Sequence, residues 1–378
     1  MDLSHIPVID AHCHPYPPDQ MEITAQHLRD ALSVSLHRES AAENESMLLV
    51  RMTLRALAGL LDCPRTWEAV IATRNERMRA NKSAYLDLLW RDANIGAMLI
   101  DPGFPANPAI TREVFAAHVP AQVFEGYRIE RFFGADAFRT PAYQSLHDLV
   151  AAFRAKLDEE AGRPGVRFLK SVIAYRTGLA VEKVDERRAA AAWEAHRSYG
   201  DASDKVLRDY LFWIAAEKAA EHNLPFQLHT GHTSIVNRWP NVNPILLTPL
   251  FNEPEMQQTR FVLVHSGYPY CTEAGYMTSA YPNLMLDLSL MIPWSSIGIA
   301  GRIEQILESA PTSKIMYGSD GIQAPELYWM SAKLGRRALG QVLDKLIATA
   351  AIDAEEAREI AEAILFRNAE RCYGIRLA

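Results

Sequence analysis

Cysteine is scarce: four in 378 residues, at Cys13, Cys63, Cys271 and Cys372, with no C-x-x-C spacing. That excludes a disulfide framework and fits a reducing compartment. Positive charge is not in excess. A net charge of −7 and the absence of any basic run exclude the basic face that a nucleic-acid partner would require. No segment reaches the roughly 18 uncharged apolar residues of a membrane span. The opening MDLSHIPVIDAHCH lacks the basic-then-apolar order of a signal peptide. No internal repeat, low-complexity tract or flexible linker interrupts the chain. The expectation is a cytoplasmic protein acting on a small molecule, with neither nucleic acid nor membrane as partner. A homo-oligomer is compatible with the sequence.

What is present is an ordinary globular composition, 49% hydrophobic and 22% charged, enough for a large core. Short apolar runs alternate with helical stretches, the pattern of βα units around a parallel sheet. Eight such runs can be placed: 7–14, 95–101, 124–131, 166–175, 225–230, 261–267, 283–290 and 314–320. Several are apolar almost throughout, as strands covered on both faces are. Eight strands close a (β/α)8 TIM barrel, and one such α/β domain with insertions fills residues 1–378. The largest insertion, about 15–94, reads as amphipathic helix. It follows the first strand, on the face where barrel active sites lie, so a helical cap over the pocket is expected rather than a peripheral layer. Asp353 with Glu356 has the spacing of a capping box.

The chemistry concentrates at the ends of these runs. In Asp10-Ala11-His12-Cys13-His14 the strand period of two puts both histidines on one face, with Cα atoms roughly 6.5–7 Å apart, so both imidazoles reach one metal ion. Cys13 then points the other way, into a buried layer. His229 ends PFQLH, His265 ends FVLVH and Asp320 ends KIMYGSD. A single strand-end histidine is usually a satisfied core residue. Four of them beside an aspartate define a nitrogen- and oxygen-rich metal site suited to Zn, Mn, Fe or Ni. Lys170, on a buried strand, is costly unless paired, modified or bound to an anion. Tyr175, Arg176, His232 and Arg238 follow strand ends and are candidates for holding substrate. His5, His27, His37, His118, His147, His196 and His222 are read as incidental.

DAHCH, LHTGHT, LVHSGYPY and YGSDG together resemble the amidohydrolase superfamily, in particular its second amidohydrolase subfamily. KSVIAYRTGL, APTSKIMYGSDG and FRNAERCYGI are similar to the amidohydrolase-like part of FluG-type and nodulin/glutamine-synthetase fusion proteins. The likeness runs from residue 7 to 375 and is weakest across 15–94. No glutamine-synthetase domain lies within these residues, so glutamine synthesis is not expected. The resemblance implies His12 and His14 as the first-strand metal pair, and His229 and His265 as the fifth- and sixth-strand histidines. It implies Asp320 as the eighth-strand aspartate that binds metal and handles the proton of the attacking water. Lys170 takes the position of a bridging carbamylated lysine in binuclear members.

The expected activity is hydrolysis of an amide, ester or related C(O)–X bond of a small, carboxylate-bearing substrate. One or two divalent ions, zinc foremost with iron or manganese as options, would assist. Asp320 acts as base then acid, and His265 as ligand or oxyanion stabiliser. Two alternatives use the same residues: non-oxidative decarboxylation of an aromatic or unsaturated acid, and diiron oxygen chemistry.

Overall fold

Eight short strands pair in chain order, every neighbour parallel: β1 (Val8–Cys13), β2 (Ile95–Ile100), β3 (Gln122–Arg128), β4 (Val166–Ser171), β5 (Phe226–His229), β6 (Phe261–Val264), β7 (Leu284–Asp287) and β8 (Ile315–Met316). A computed structural model describes residues 1–33, 41–104, 110–133, 143–199, 204–232 and 238–377. The chain after β8 returns to β1: the Ala11 amide donates to the Tyr317 carbonyl at 3.0 Å, and the Asp320 amide to the His12 carbonyl at 2.9 Å. The sheet thereby curls into the TIM barrel that the eight runs predict.

Side chains sort by the strand period of two. Ile9, Ala11, Ala97, Leu99, Phe168, Val262, Val264, Met285 and Met316 form one buried cluster inside the barrel, plugged from below by Tyr373 and Ile375 near the C-terminus. Their neighbours on the strands face the surrounding helices. Gly126 has no side chain because a Cβ there would lie 2.0 Å from the Phe168 ring that fills this interior.

Several strands are shorter than the apolar runs. The run 166–175 stops pairing at Ser171, and Ile173–Tyr175 forms a 3-10 turn. The cause is Glu130, whose carboxylate accepts from Ser171 Oγ at 2.7 Å and from the Val172 amide at 2.8 Å. The run 314–320 pairs only through Ile315 and Met316 before its hydrogen bonds transfer to β1. The run 283–290 breaks after Asp287, whose side chain takes the amides of His265 and Ser289.

The insertion after β1 is helical, as expected. Its long helices are α1 (Leu48–Leu61), buried through Leu49, Val50, Thr53, Leu57 and Leu61, and α2 (Trp67–Ala93), capped by the Thr66 hydroxyl. A later helix, α3 (Pro325–Ala348), follows the Asp320 loop, and α4 (Ala354–Glu362) begins with the expected Asp353–Glu356 capping box. One buried polar knot joins α2 to α3. Arg74 Nε and the Tyr85 hydroxyl both donate to Glu326 Oε1 at 2.8 Å, and Arg74 Nη1 donates to the Met21 carbonyl at 2.7 Å. Arg74 and Glu326 are 1% and 0% exposed, so removing one strands the other's charge.

We expect Arg74→Ala or Glu326→Ala to cost about 3–5 kcal/mol in urea unfolding. Arg74→Met with Glu326→Leu, which removes both charges, should recover most of that loss. A single variant as stable as the parent would contradict the account.

Candidate metal centre

The histidines reach one space by three local devices. On β1 a register shift between Asp10 and Cys13 changes face, so Ala11 lies with the barrel interior while Cys13 joins the outer layer. On β4 and β5 plain alternation suffices: Lys170 follows Phe168 by two, and His229 follows Gln227 by two. On β6 alternation alone would send His265 outward after the inward Val264. Left-handed backbone at His265 (φ 73°) and Ser266 (φ 51°) redirects it. Asp320 also sits at positive φ, 53°, as the chain turns back along β1. Such conformations are strained for side-chain-bearing residues and persist where surrounding contacts enforce them.

The rings come together closely. His12 lies 5.1 Å from His14 and 5.3 Å from His265, centroid to centroid, and His229 lies 4.5 Å from His265. Single donor atoms of His12, His265 and Asp320 fall within 4.8 Å of one another.

The outer nitrogens decide where the protons are. His14 Nδ1 donates to the Asp101 carbonyl at 3.0 Å, leaving the Nε2 lone pair 3.2 Å from Asp320 Oδ1. His229 Nε2 donates to the His232 carbonyl at 2.8 Å, leaving Nδ1 unprotonated. Ser289 gives its hydroxyl proton to Asp287, so it accepts from His265 Nδ1 at 2.8 Å and leaves Nε2 unprotonated. His265 Nε2 and His229 Nδ1 are 3.1 Å apart, two lone pairs face to face. His12 Nε2 is 3.6 Å from the same Asp320 oxygen, and among the described residues neither that oxygen nor buried His12 Nδ1 has a hydrogen-bond partner. Acceptors aimed at acceptors in a largely buried space fit a divalent cation. The outer hydrogen bonds set the tautomers, as second partners of metal-binding imidazoles do.

The electrostatics agree. Burial, reinforced by the Lys170 charge, holds His12 and His229 neutral to well below the usual histidine range. For His265 burial acts first and His229 and Lys170 add to it. Lys170 is 1% exposed and its ammonium nitrogen has no hydrogen-bond partner among the described residues. Burial lowers its pKa to about 8 against the opposing pull of Asp101 and Asp287. Asp101 is itself fully buried. Burial would raise its pKa, but Arg128, with Nε at 3.1–3.2 Å and Nη2 at 2.6 Å, together with His14 brings it down to about 2. Asp287 is raised to about 6 by burial, against the restraint of its bonds from Ser289 and the His265 amide.

The four substrate candidates separate. The Tyr175 ring packs 4.2 Å from His229, and its phenol pKa is raised by burial and then by Asp320, which places it at the cluster. His232 is half-buried beside it, its ring 6.2 Å from Trp239. Arg238 is exposed on the loop beyond. Arg176 is exposed and lines a separate crevice with Glu130 and Phe212. The incidental histidines stay apart: His27 contacts Gln20, His118 contacts Lys82 and His222 contacts Asp158, while His37 lies outside the described residues. Sequence reasoning passed over Asp101, Arg128, Asp287 and Ser289. The signal for two of them was available, since Asp101 and Asp287 close apolar runs just as Asp320 does.

Fold and donor set together define a metal-dependent barrel enzyme. A family model described as Amidohydrolase matches residues 9–375, and the chain belongs to that family. It is 33% identical over 277 residues to the protein fluG of Emericella nidulans, an alignment covering 69% of this chain and 31% of that protein. The chain therefore spans about a third of that relative. Among solved structures, a putative metal-dependent hydrolase from Lactobacillus casei is similar with a TM-score of 0.86 and 25% identity, covering 99% of this chain and 97% of that one. A uronate isomerase from Bacillus halodurans shares the fold at a TM-score of 0.68 and 15% identity, over 99% and 94% of the two chains. The protein is thus an enzyme of the amidohydrolase superfamily. No described helix is long and apolar enough to cross a membrane.

Asp101 ionises at lower pH folded, about 2, than at its ordinary 3.8. Its contribution to stability is complete above about pH 4 and disappears as pH falls through about 2, amounting to about 2 kcal/mol. Asp101→Asn should flatten the acid limb of the stability–pH curve by about that much. An unchanged acid limb would remove Asp101 from the charge balance of the site.

Proposed function

We propose that this enzyme hydrolyses a C(O)–X bond, amide or ester, of a small carboxylate-bearing substrate. His12, His14, His229, His265 and Asp320 would hold the metal. The observation that carries this reading is the set of lone pairs turned inward on His14, His229 and His265, whose other nitrogens are already committed. The chemistry supplied by a divalent ion held there, zinc foremost, is polarisation of the scissile carbonyl and acidification of water.

The chain's own groups supply the rest. Asp320 Oδ1, free of hydrogen-bond donors, is available to take the proton of the attacking water and return it to the leaving group. His265 has committed its N–H to Ser289, so its inner nitrogen has no proton to offer an oxyanion; this supports the ligand role over the oxyanion role. Tyr175 is the hydroxyl at the cluster suited to donate to that oxyanion. His232 and Arg238, which follow β5, would receive the substrate carboxylate.

Lys170 governs the metal count. As an ammonium it repels a second cation. As an amine, which its pKa of about 8 makes accessible near neutrality, it can combine with carbon dioxide, lose a proton and become an anionic carbamate ligand. One ion per chain is then expected with free Lys170 and two with the carbamate.

The test couples metal content, by plasma mass spectrometry, with turnover on a panel of amides and esters. His12→Ala should lose bound metal. Asp320→Asn should lower turnover by about 1,000-fold while the protein stays folded. Full turnover in either variant would sink the assignment. Two irons per chain, with oxygen uptake and no hydrolysis, would replace it with oxygen chemistry.

A further inference from the structure

Away from the barrel centre, α1 and α3 enclose a groove of about 460 Å3, to which no residue of the metal cluster contributes. Its floor is apolar: Met330 and Leu334 of α3 are 4% and 5% exposed, and Met52 of α1 is half-buried. Its rim is cationic. Arg51, Arg55, Arg65 and Arg337 all line it, all are exposed, and none has a carboxylate partner among the described residues. Lys333, a fifth cation on the same wall, is neutralised by Asp92 at 2.7 Å.

This arrangement carries a cost. Arg51 and Arg55 stand four residues apart on one helix face, a like-charge pair that destabilises a helix. Five cationic side chains thus line one groove of a chain whose net charge is −7, and among the described residues only Lys333 has a carboxylate partner.

We propose that the groove binds a small organic diphosphate of nucleoside diphosphate form. Guanidiniums pair bidentately with phosphate oxygens, and four of them exceed what a single monoanionic group can occupy. Methionine and leucine at the floor suit a flat apolar ring, since the thioether is polarisable and adapts to aromatic faces. The volume lies within the range of small-molecule sites, about 300–1,000 Å3. An acidic protein segment would match the charge but has no use for a floor this narrow and buried.

The experiment is calorimetric titration of the full-length, metal-loaded protein with ADP, AMP, adenosine and inorganic pyrophosphate. ADP should bind at a single site, at least about tenfold tighter than AMP or pyrophosphate, and weaken with added salt. Arg51→Ala with Arg55→Ala, and separately Arg337→Ala, should weaken ADP about tenfold or more while metal content and thermal stability stay as in the parent. These are exposed residues outside the catalytic centre, so the variants should fold. Three outcomes overturn the proposal. One is no saturable ADP binding at millimolar concentration. Another is ADP binding that the groove variants leave unchanged, which would place it at the barrel mouth. The third is a salt-sensitive self-association that the same variants abolish, which would make the groove a contact for an acidic face of a second copy.

Discussion

Everything at the centre of this barrel depends on where three imidazole protons are held. Each is drawn outward by a fixed acceptor: the Asp101 carbonyl for His14, the His232 carbonyl for His229 and the Ser289 hydroxyl for His265. A neutral imidazole has one N–H to give, so committing it on the outside commits a lone pair on the inside. The acceptors come from segments just past the strand ends. Their positions rest on the local backbone: the 3-10 turn at His265–Gly267, the contact of Gly231 with the Gly267 backbone, and the turn at Asp320. A Cβ on Gly231 would lie 2.3 Å from that backbone, so the loops after β5 and β6 could not touch and His232 could not hold His229 as it does.

Around this arrangement the protein has placed carboxylates of contrasting character. Asp101, clamped by Arg128, is a permanent anion. Asp10 and Asp287 are pushed up by burial, to about 7 and about 6, and restrained by hydrogen bonds from Ser319 and Ser289. Lys170 sits among them without a hydrogen bond. Carboxylates whose ionisation is costly in isolation become easier to ionise when a cation arrives beside them. The interior is therefore tuned to respond to added positive charge, whereas a finished set of ion pairs would not.

The barrel itself was legible because parallel strands buried on both faces leave near-continuous apolar runs; seven of the eight runs contain the observed strand, and the third, 124–131, starts two residues after β3 does. The ends of those runs were less so. Tyr175 and Arg176 follow Lys170 closely in sequence, yet the turn imposed by Glu130 places Tyr175 against His229 and Arg176 in a crevice with Glu130 and Phe212. Glu130 comes from the end of β3, and no local pattern near residue 171 announces it. His265 illustrates the same limit. Strand period predicts an outward ring, and only the left-handed backbone, held by the Asp287 side chain, turns it inward. The histidines could be read because their chemistry is distinctive. Their supporting partners could not, because backbone carbonyls and serine hydroxyls carry no signature in a sequence.

The insertion after β1 bears on the site through its anchoring. Glu326 lies six residues beyond Asp320, at the start of α3, and receives both Arg74 and Tyr85 of α2. Two residues further, the Tyr328 hydroxyl donates to the His14 carbonyl. One helical turn therefore connects the inserted helices to the β1 histidine pair and to the loop that carries Asp320. An ion pair at 0–1% exposure resists sliding, since any displacement leaves a charge without its partner in a low-dielectric interior. That rigidity suits a centre whose donors must stay aligned while strained at His265 and Asp320. The side of α1 that faces the groove carries Arg51 and Arg55, exposed and without a carboxylate partner among the described residues. The paired inner contact thus holds the layer against the site, while the partnerless arginines on its groove side take no part in that anchoring.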